Sequence, residues 1–209
     1  MSKAFCWFVK ITGWLPYVVC MRPKVRYLDK RSVKRAMKGK AVIMPDHHSV
    51  WDVAAMMFTF PRRNLHCVVA ELMFNKSRFF AWFLKAIGSI RVDRNDHDFA
   101  FITEAGRVLD GGGVVEIYPE ARIPKMEEQT PLPFAPSVSY IALMGGAPII
   151  PVVTSGNYFT KKRLRVLVGK PIDIAELWRD DLSEKENIDS ITNQLREKII
   201  ELKNELETR

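Results

Sequence analysis

The run Ala41-Val42-Ile43-Met44-Pro45 is apolar at every position and ends on a proline, which cannot continue a hydrogen-bonded ladder. It reads as a short buried strand. The stretch after it, Val50-Trp51-Asp52-Val53-Ala54-Ala55-Met56-Met57-Phe58, has the length and composition of a helix. The same change from apolar run to helix-length segment recurs along the chain. Residues 66–70 read as a strand, and 79–87 as a helix stopped at Gly88. Gly88 then opens a turn into a short strand ending at Arg94. Residues 97–109 read as a helix closed by Gly111-Gly112-Gly113, and 114–118 as a strand. Residues 137–144 read as a helix, with strands at 147–154 and 164–169. In the tail, Ile188, Ile191, Leu195, Ile199, Leu202 and Leu206 recur at helical spacing, an amphipathic helix that packs on the body. Strands alternating with helices restrict the chain to the α/β class, a sheet covered by helices. At 209 residues it fits one domain of ordinary size.

The turn between the first strand and its helix is Asp46-His47-His48-Ser49-Val50-Trp51-Asp52. On one continuous helix His47 and Asp52 would lie roughly 140° apart. With His47 outside the helix, the chain can fold back and bring the carboxylate to the imidazole. A carboxylate on one ring nitrogen fixes the tautomer and leaves the other nitrogen to take a proton. A plainer reading is open too. Ser49-x-x-Asp52 is a capping-box-like start, and His47 and His48 are then ordinary loop residues.

The N-terminus carries a different signal. Residues 4–21 are the most apolar stretch, interrupted by Lys10, Thr12, Gly13 and Pro16, and barely long enough to span a bilayer. Trp7, Trp14 and Tyr17 suit a membrane–water interface. Arg22, Lys24, Arg26, Lys30, Arg31, Lys34, Arg35, Lys38 and Lys40 follow, opposed by Asp29 alone. A broken apolar segment followed by a basic one reads as a peripheral anchor on an anionic leaflet, residues 1–40, ahead of a body at 41–209. The alternative is a helix packed on the core with a solvated basic face. The net charge of +8 favours an anionic partner, a lipid surface or a phosphate-bearing substrate. Nucleic acid is disfavoured, because no recognition helix, zinc-finger spacing or RNP-like strand is present. Cys6, Cys20 and Cys67 are odd in number and scattered, which fits a reducing compartment.

Four blocks in order resemble those of the PlsC-like glycerolipid acyltransferases, the lysophosphatidic acid acyltransferases. His47 to Asp52 matches the family's H-x4-D, with Ser49 where serine is common. Gly88-Ser89-Ile90-Arg91-Val92-Asp93-Arg94 matches G-x-I-x-V-x-R. Tyr118-Pro119-Glu120-Ala121-Arg122 loosely matches F-P-E-G-x-R, and Ala147-Pro148-Ile149-Ile150-Pro151 matches V-P-I-x-P. Three positions depart from the pattern. Asp46 stands where many members have asparagine, Ala121 where glycine is usual, and Ala70-Glu71 where a lysine is common.

The resemblance implies a central mixed sheet covered by helices and a membrane-associated enzyme on the cytoplasmic face. It implies transfer of an acyl chain from acyl-CoA or acyl carrier protein to the hydroxyl of a lysophospholipid, first of all 1-acyl-sn-glycerol-3-phosphate to give phosphatidic acid, with another lysolipid headgroup as the alternative and without cofactor or metal. His47 and Asp52 are then the catalytic pair, with Ser49, Gly88, Arg94, Glu120 and Arg122 as substrate ligands. Arg94 and Arg122 would grip a phosphate with their planar forks, and Glu120 would bond a hydroxyl or orient the arginine. No G-x-S-x-G elbow is present, so no acyl-enzyme is expected. Three competing readings stand beside this one. They are a thioesterase or lysophospholipase using water, a metal site drawn from His47, His48, His66, His97 and Cys67, and a non-catalytic membrane-binding module.

Overall fold

The computed structural model describes residues 2–93 and 99–208. The chain opens with α1 (Lys3–Met21), β1 (Lys24–Tyr27), α2 (Lys30–Ala36), β2 (Ala41–Pro45) and α3 (Asp52–Thr59). Then come β3 (Leu65–Ala70), the short α4 (Glu71–Phe74), α5 (Arg78–Ile87), β4 (Ile90–Val92), α6 (Ala100–Asp110) and β5 (Val114–Glu116). It closes with α7 (Ser137–Gly145), β6 (Ile149–Thr154), β7 (Arg165–Val168), a 3₁₀ turn (Ile174–Leu177) and α8 (Glu184–Thr208). The seven strands form one sheet in the order β1-β7-β6-β2-β5-β3-β4. β6, β2, β5, β3 and β4 run parallel, while β7 is antiparallel to β6 and carries β1 parallel to itself. The sheet is therefore mixed and covered by helices, as the alternating pattern and the resemblance predict.

β2 explains its own composition. Val42 and Met44 face a core with α6, α7 and α8, while Ala41 and Ile43 face a second core with α1, α2 and α3. Every position is covered, so none tolerates a polar side chain. Burying a residue such as Ile43 or Met44 is worth about 1.5–3 kcal/mol.

β1 falls inside the segment read as basic and membrane-facing. Its alternation sets Val25 and Tyr27 against the second core, with Lys24 and Arg26 between them, and α2 adds Val33. The sheet thus begins at residue 24, and short alternation hidden in a run of cations is why the strand escapes notice.

α1 is long and apolar enough to cross a membrane by length and composition. It packs along the body, burying Cys6, Lys10, Tyr17 and Met21. The buried ammonium of Lys10 donates to the carbonyls of Pro61 and Arg63 and to Asn64 Oδ1, at 3.1, 2.6 and 3.0 Å. A charge can be buried only when so paired. Lys10→Ala should lower stability by about 1–3 kcal/mol through the lost bonds and the acceptors left behind. A urea melt unchanged from wild type would show that α1 is not pinned there.

Candidate active site

β2, β5 and β6 are parallel, so their carboxyl ends share one edge of the sheet, the usual place for a site in an α/β fold. The residues leaving those ends converge on Asp52, which is fully buried. Its Oδ2 lies 2.8 Å from His47 Nδ1 and accepts from His48 N at 2.7 Å and Ser49 N at 2.8 Å. Its Oδ1 accepts from the Tyr158 hydroxyl, on the chain between β6 and β7. One carboxylate thus serves the turn, the start of α3 and the imidazole together. Ser49 also caps, its Oγ accepting from Trp51 N at 3.3 Å. The capping and dyad readings are therefore compatible. Burial, and next the charge and bond of Asp52, push the Tyr158 hydroxyl well above its ordinary range.

A second carboxylate–imidazole pair sits beside the first. Asp46, fully buried, meets His48 Nε2 at 2.8 Å with Oδ2 and accepts from Thr154 N at 2.9 Å with Oδ1. Lys203 of α8 approaches Asp46 Oδ2 at 3.8 Å and bonds Thr130 Oγ1 at 3.1 Å. Burial pulls the His48 imidazole down, but the bond to Asp46 and its charge outweigh that and raise it. The extra carboxylate noted at Asp46 is thus paired and ties the turn bearing His47 to the end of β6.

Below His47 lies a buried acid. The Tyr118 ring packs on the imidazole with centroids 4.3 Å apart, and its hydroxyl donates to Glu116 Oε1 at 2.5 Å. Glu116 Oε2 is buried and has no hydrogen-bond partner among the described residues. Burial pushes the Glu116 carboxyl up to about 8, the Tyr118 bond pulls it back and the Asp52 charge raises it further.

The other expected ligands are dispersed. Glu120 is buried, and both its oxygens are taken by backbone, accepting from His47 N at 3.1 Å and Leu132 N at 2.8 Å. It clamps the turn, where the sequence suggested a bond to a hydroxyl. Ala121, in the family's glycine position, has φ +57°. Arg122 is half exposed and bidentate to Glu128 at 2.6 and 2.7 Å, and this bond holds the Glu128 carboxyl down to about 2. Gly88 caps α5 with φ +84°, and its carbonyl lies 2.9 Å from His66 Nδ1. It precedes β4, so it stands at the opposite edge of the sheet from His47. Arg94 and His97 lie outside the described residues. Among the described residues, no group of three His, Cys, Asp or Glu side chains is placed to hold a metal.

Sequence reasoning missed Tyr158, Glu116, Tyr118 and Lys203. Glu116 had a signal, a lone carboxylate in the apolar strand Val114-Val115-Glu116-Ile117-Tyr118. Tyr158 had none, since it meets Asp52 from 106 residues away.

A family model described as Acyltransferase matches residues 24–155. The chain is 28% identical over 199 residues to the 1-acyl-sn-glycerol-3-phosphate acyltransferase of Bacillus subtilis (strain 168), covering 92% of this chain and 95% of that protein. It is 29% identical over 163 residues to the 1-acyl-sn-glycerol-3-phosphate acyltransferase beta of Homo sapiens, covering 74% of this chain and 56% of the human protein. The crystal structure of the 1-acyl-sn-glycerophosphate (LPA) acyltransferase PlsC from Thermotoga maritima superposes with a TM-score of 0.67 at 16% identity. That match covers 95% of this chain and 79% of the other, and shares the fold.

Buried Glu116 and the left-handed backbone of Ala121 each give a measurable outcome. Native Glu116 keeps its proton to about pH 8, whereas the unfolded carboxyl, near 4.5, has lost it. The native state binds more protons between those values, so stability should fall as pH rises from about 4.5 to 8, by on the order of a few kcal/mol. Glu116→Gln should flatten that decline in urea melts, and an undiminished slope would refute the assignment. At Ala121, the left-handed backbone costs an alanine about 1–2 kcal/mol, and glycine's extra unfolded-chain freedom returns about half of that. Ala121→Gly should therefore raise stability modestly, and a clear loss would show that the methyl group has a packing role.

Proposed function

The chain belongs to the acyltransferase family, and we propose that it moves an acyl chain from an acyl thioester to the free hydroxyl of a lysophospholipid, 1-acyl-sn-glycerol-3-phosphate first among them. One observation carries the reading: the contact of His47 Nδ1 with buried Asp52 Oδ2 at 2.8 Å. With Nδ1 engaged by the carboxylate, Nε2 is the nitrogen that accepts a proton.

The acceptor hydroxyl gives its proton to His47 Nε2 as its oxygen forms a bond to the thioester carbonyl carbon. Asp52 stabilises the imidazolium and keeps the ring oriented. The tetrahedral intermediate collapses with loss of the carbon–sulfur bond, and the thiolate leaves with the proton from His47. The donor is acyl-CoA or acyl carrier protein. Arg122 meets the acceptor phosphate by exchanging its exposed bond to Glu128, a cheap exchange because exposed ion pairs contribute about 0–1 kcal/mol. Arg94, four residues after β4 begins, is the second phosphate ligand in this reading.

We place the enzyme on a membrane surface facing the cytoplasm. Trp7, Ile11, Trp14, Leu15 and Val19 stand 50–70% exposed on the outer side of α1. The inner side is committed to the body through Lys10, Tyr17 and Met21, which favours a helix lying on the leaflet over one crossing it.

General-base catalysis contributes typically about 10²–10⁴-fold, so His47→Ala should lose at least ~100-fold in lysolipid-dependent thiol release from acyl-CoA while its melt stays native. A folded His47→Ala protein with near-normal turnover would overturn the role. Release without any lysolipid would point to the thioesterase reading.

A further inference from the structure

The chain between β6 and β7 is bound to the site at one end and to α1 at the other. Tyr158 donates to Asp52 Oδ1. The next residue, Phe159, has φ +55°, a conformation such a side chain adopts only when its surroundings demand it. Its ring meets that of Trp51 edge-on with centroids 4.8 Å apart. Phe159 is 55% exposed, Trp51 46% and the neighbouring Val50 55%. Two aromatic rings thus meet out in solvent, one residue from each of the two groups that bond across the site.

The cations lie alongside. Lys161, Lys162 and Arg163 are exposed. Arg22, just past α1, donates from Nη2 to the carbonyls of Thr160 and Lys161. Arg163 Nε returns a bond to Arg22 O at 3.2 Å, and Leu164 N bonds Met21 O at 3.0 Å. The loop is therefore joined to the end of the apolar row on α1. Exposed aromatic rings flanked by cations match the boundary of an anionic leaflet, where rings enter the acyl margin and ammonium groups meet phosphates.

We propose that the loop 156–163 is a second lipid-contacting element, and that its docking on an anionic leaflet holds Tyr158 on Asp52 so that the site is completed at the membrane surface. Tyr158 is on this account a positioning residue, acting through Asp52 on His47. The occupant is a bilayer leaflet rather than a protein, because the loop is bonded to the end of α1, whose exposed row is apolar, and the charges flanking the rings are positive. The proposal rests on the acyl-transfer reading for its catalytic half, while its lipid-binding half is read without turnover.

The test combines sedimentation with vesicles and kinetics. Each lysine beside an anionic surface is worth about fivefold in binding, so Lys161→Gln with Lys162→Gln should weaken sedimentation with phosphatidylcholine–phosphatidylglycerol vesicles by about 25-fold. Binding to pure phosphatidylcholine should be unchanged. Phe159→Ser should weaken both, and should lower kcat on anionic vesicles while leaving transfer in detergent micelles at the wild-type rate. Tyr158→Phe should bind vesicles normally and lose about tenfold in kcat at unchanged KM, the size of one lost hydrogen bond to a charged group. Wild-type vesicle affinity in the double lysine variant, which lies on the surface and keeps the fold, would overturn the contact. Wild-type kcat in Tyr158→Phe would overturn the positioning role. Absence of transfer in the wild-type protein would refute the acyl-transfer reading instead, with sedimentation still judging the loop.

Discussion

A carboxylate taken wholly out of water must be given hydrogen bonds equal to those it lost, and Asp52 is such a group. Its donors come from the turn after β2 and from Tyr158 beyond β6. Satisfying it therefore dictates the path of residues 47–49, the first turn of α3 and the course of a loop more than a hundred residues later. The same bonds set the His47 ring. One group thus serves both the fold and the candidate site, and its loss would leave a helix start, a loop and an imidazole without their common partner.

The charge distribution is the reverse of what composition suggests. A chain with net charge +8 keeps Asp46, Asp52, Glu116 and Glu120 in its interior, all at the carboxyl edge of the parallel strands. Among the described lysines and arginines, Lys10 alone is buried. Carboxylates gathered this closely repel one another when all are charged. Glu116 escapes the mutual repulsion by staying protonated near neutrality, and Glu120 and Asp46 escape it through backbone N–H groups and His48. The outer cations are then available to an anionic leaflet and to a phosphate headgroup.

How much of this was legible depended on the range of each interaction. β2, α3, α5 and α8 were readable because their apolar spacing is local and strong, and Gly88 and Gly146 mark helix ends with positive φ. His47 and Asp52 lie five residues apart, so their meeting was within reach of spacing alone. β1 was masked by the cations that surround Val25 and Tyr27. Chemical type alone marks Glu120 and Arg122, but it does not reveal that Glu120 is bonded to backbone N–H groups or that Arg122 rests on Glu128. Gly88 reads as a substrate ligand from its motif alone, while its place before β4 sets it at the opposite edge of the sheet from His47. Tyr158 and Lys203 depend on chain crossings that no local pattern encodes.

α8 has a consequence for the order of events during synthesis. Lys203 reaches Asp46 and Thr130, and Arg196 bonds the carbonyls of Pro131 and Leu132, whose own N–H is held by Glu120. The turn bearing His47 is among the earlier parts made, while the helix that braces its surroundings is among the later. At about 5–20 residues per second, roughly eight to thirty seconds separate the two on the ribosome. The apolar row of α1 precedes both in the chain, so it emerges before α8 can brace the turn.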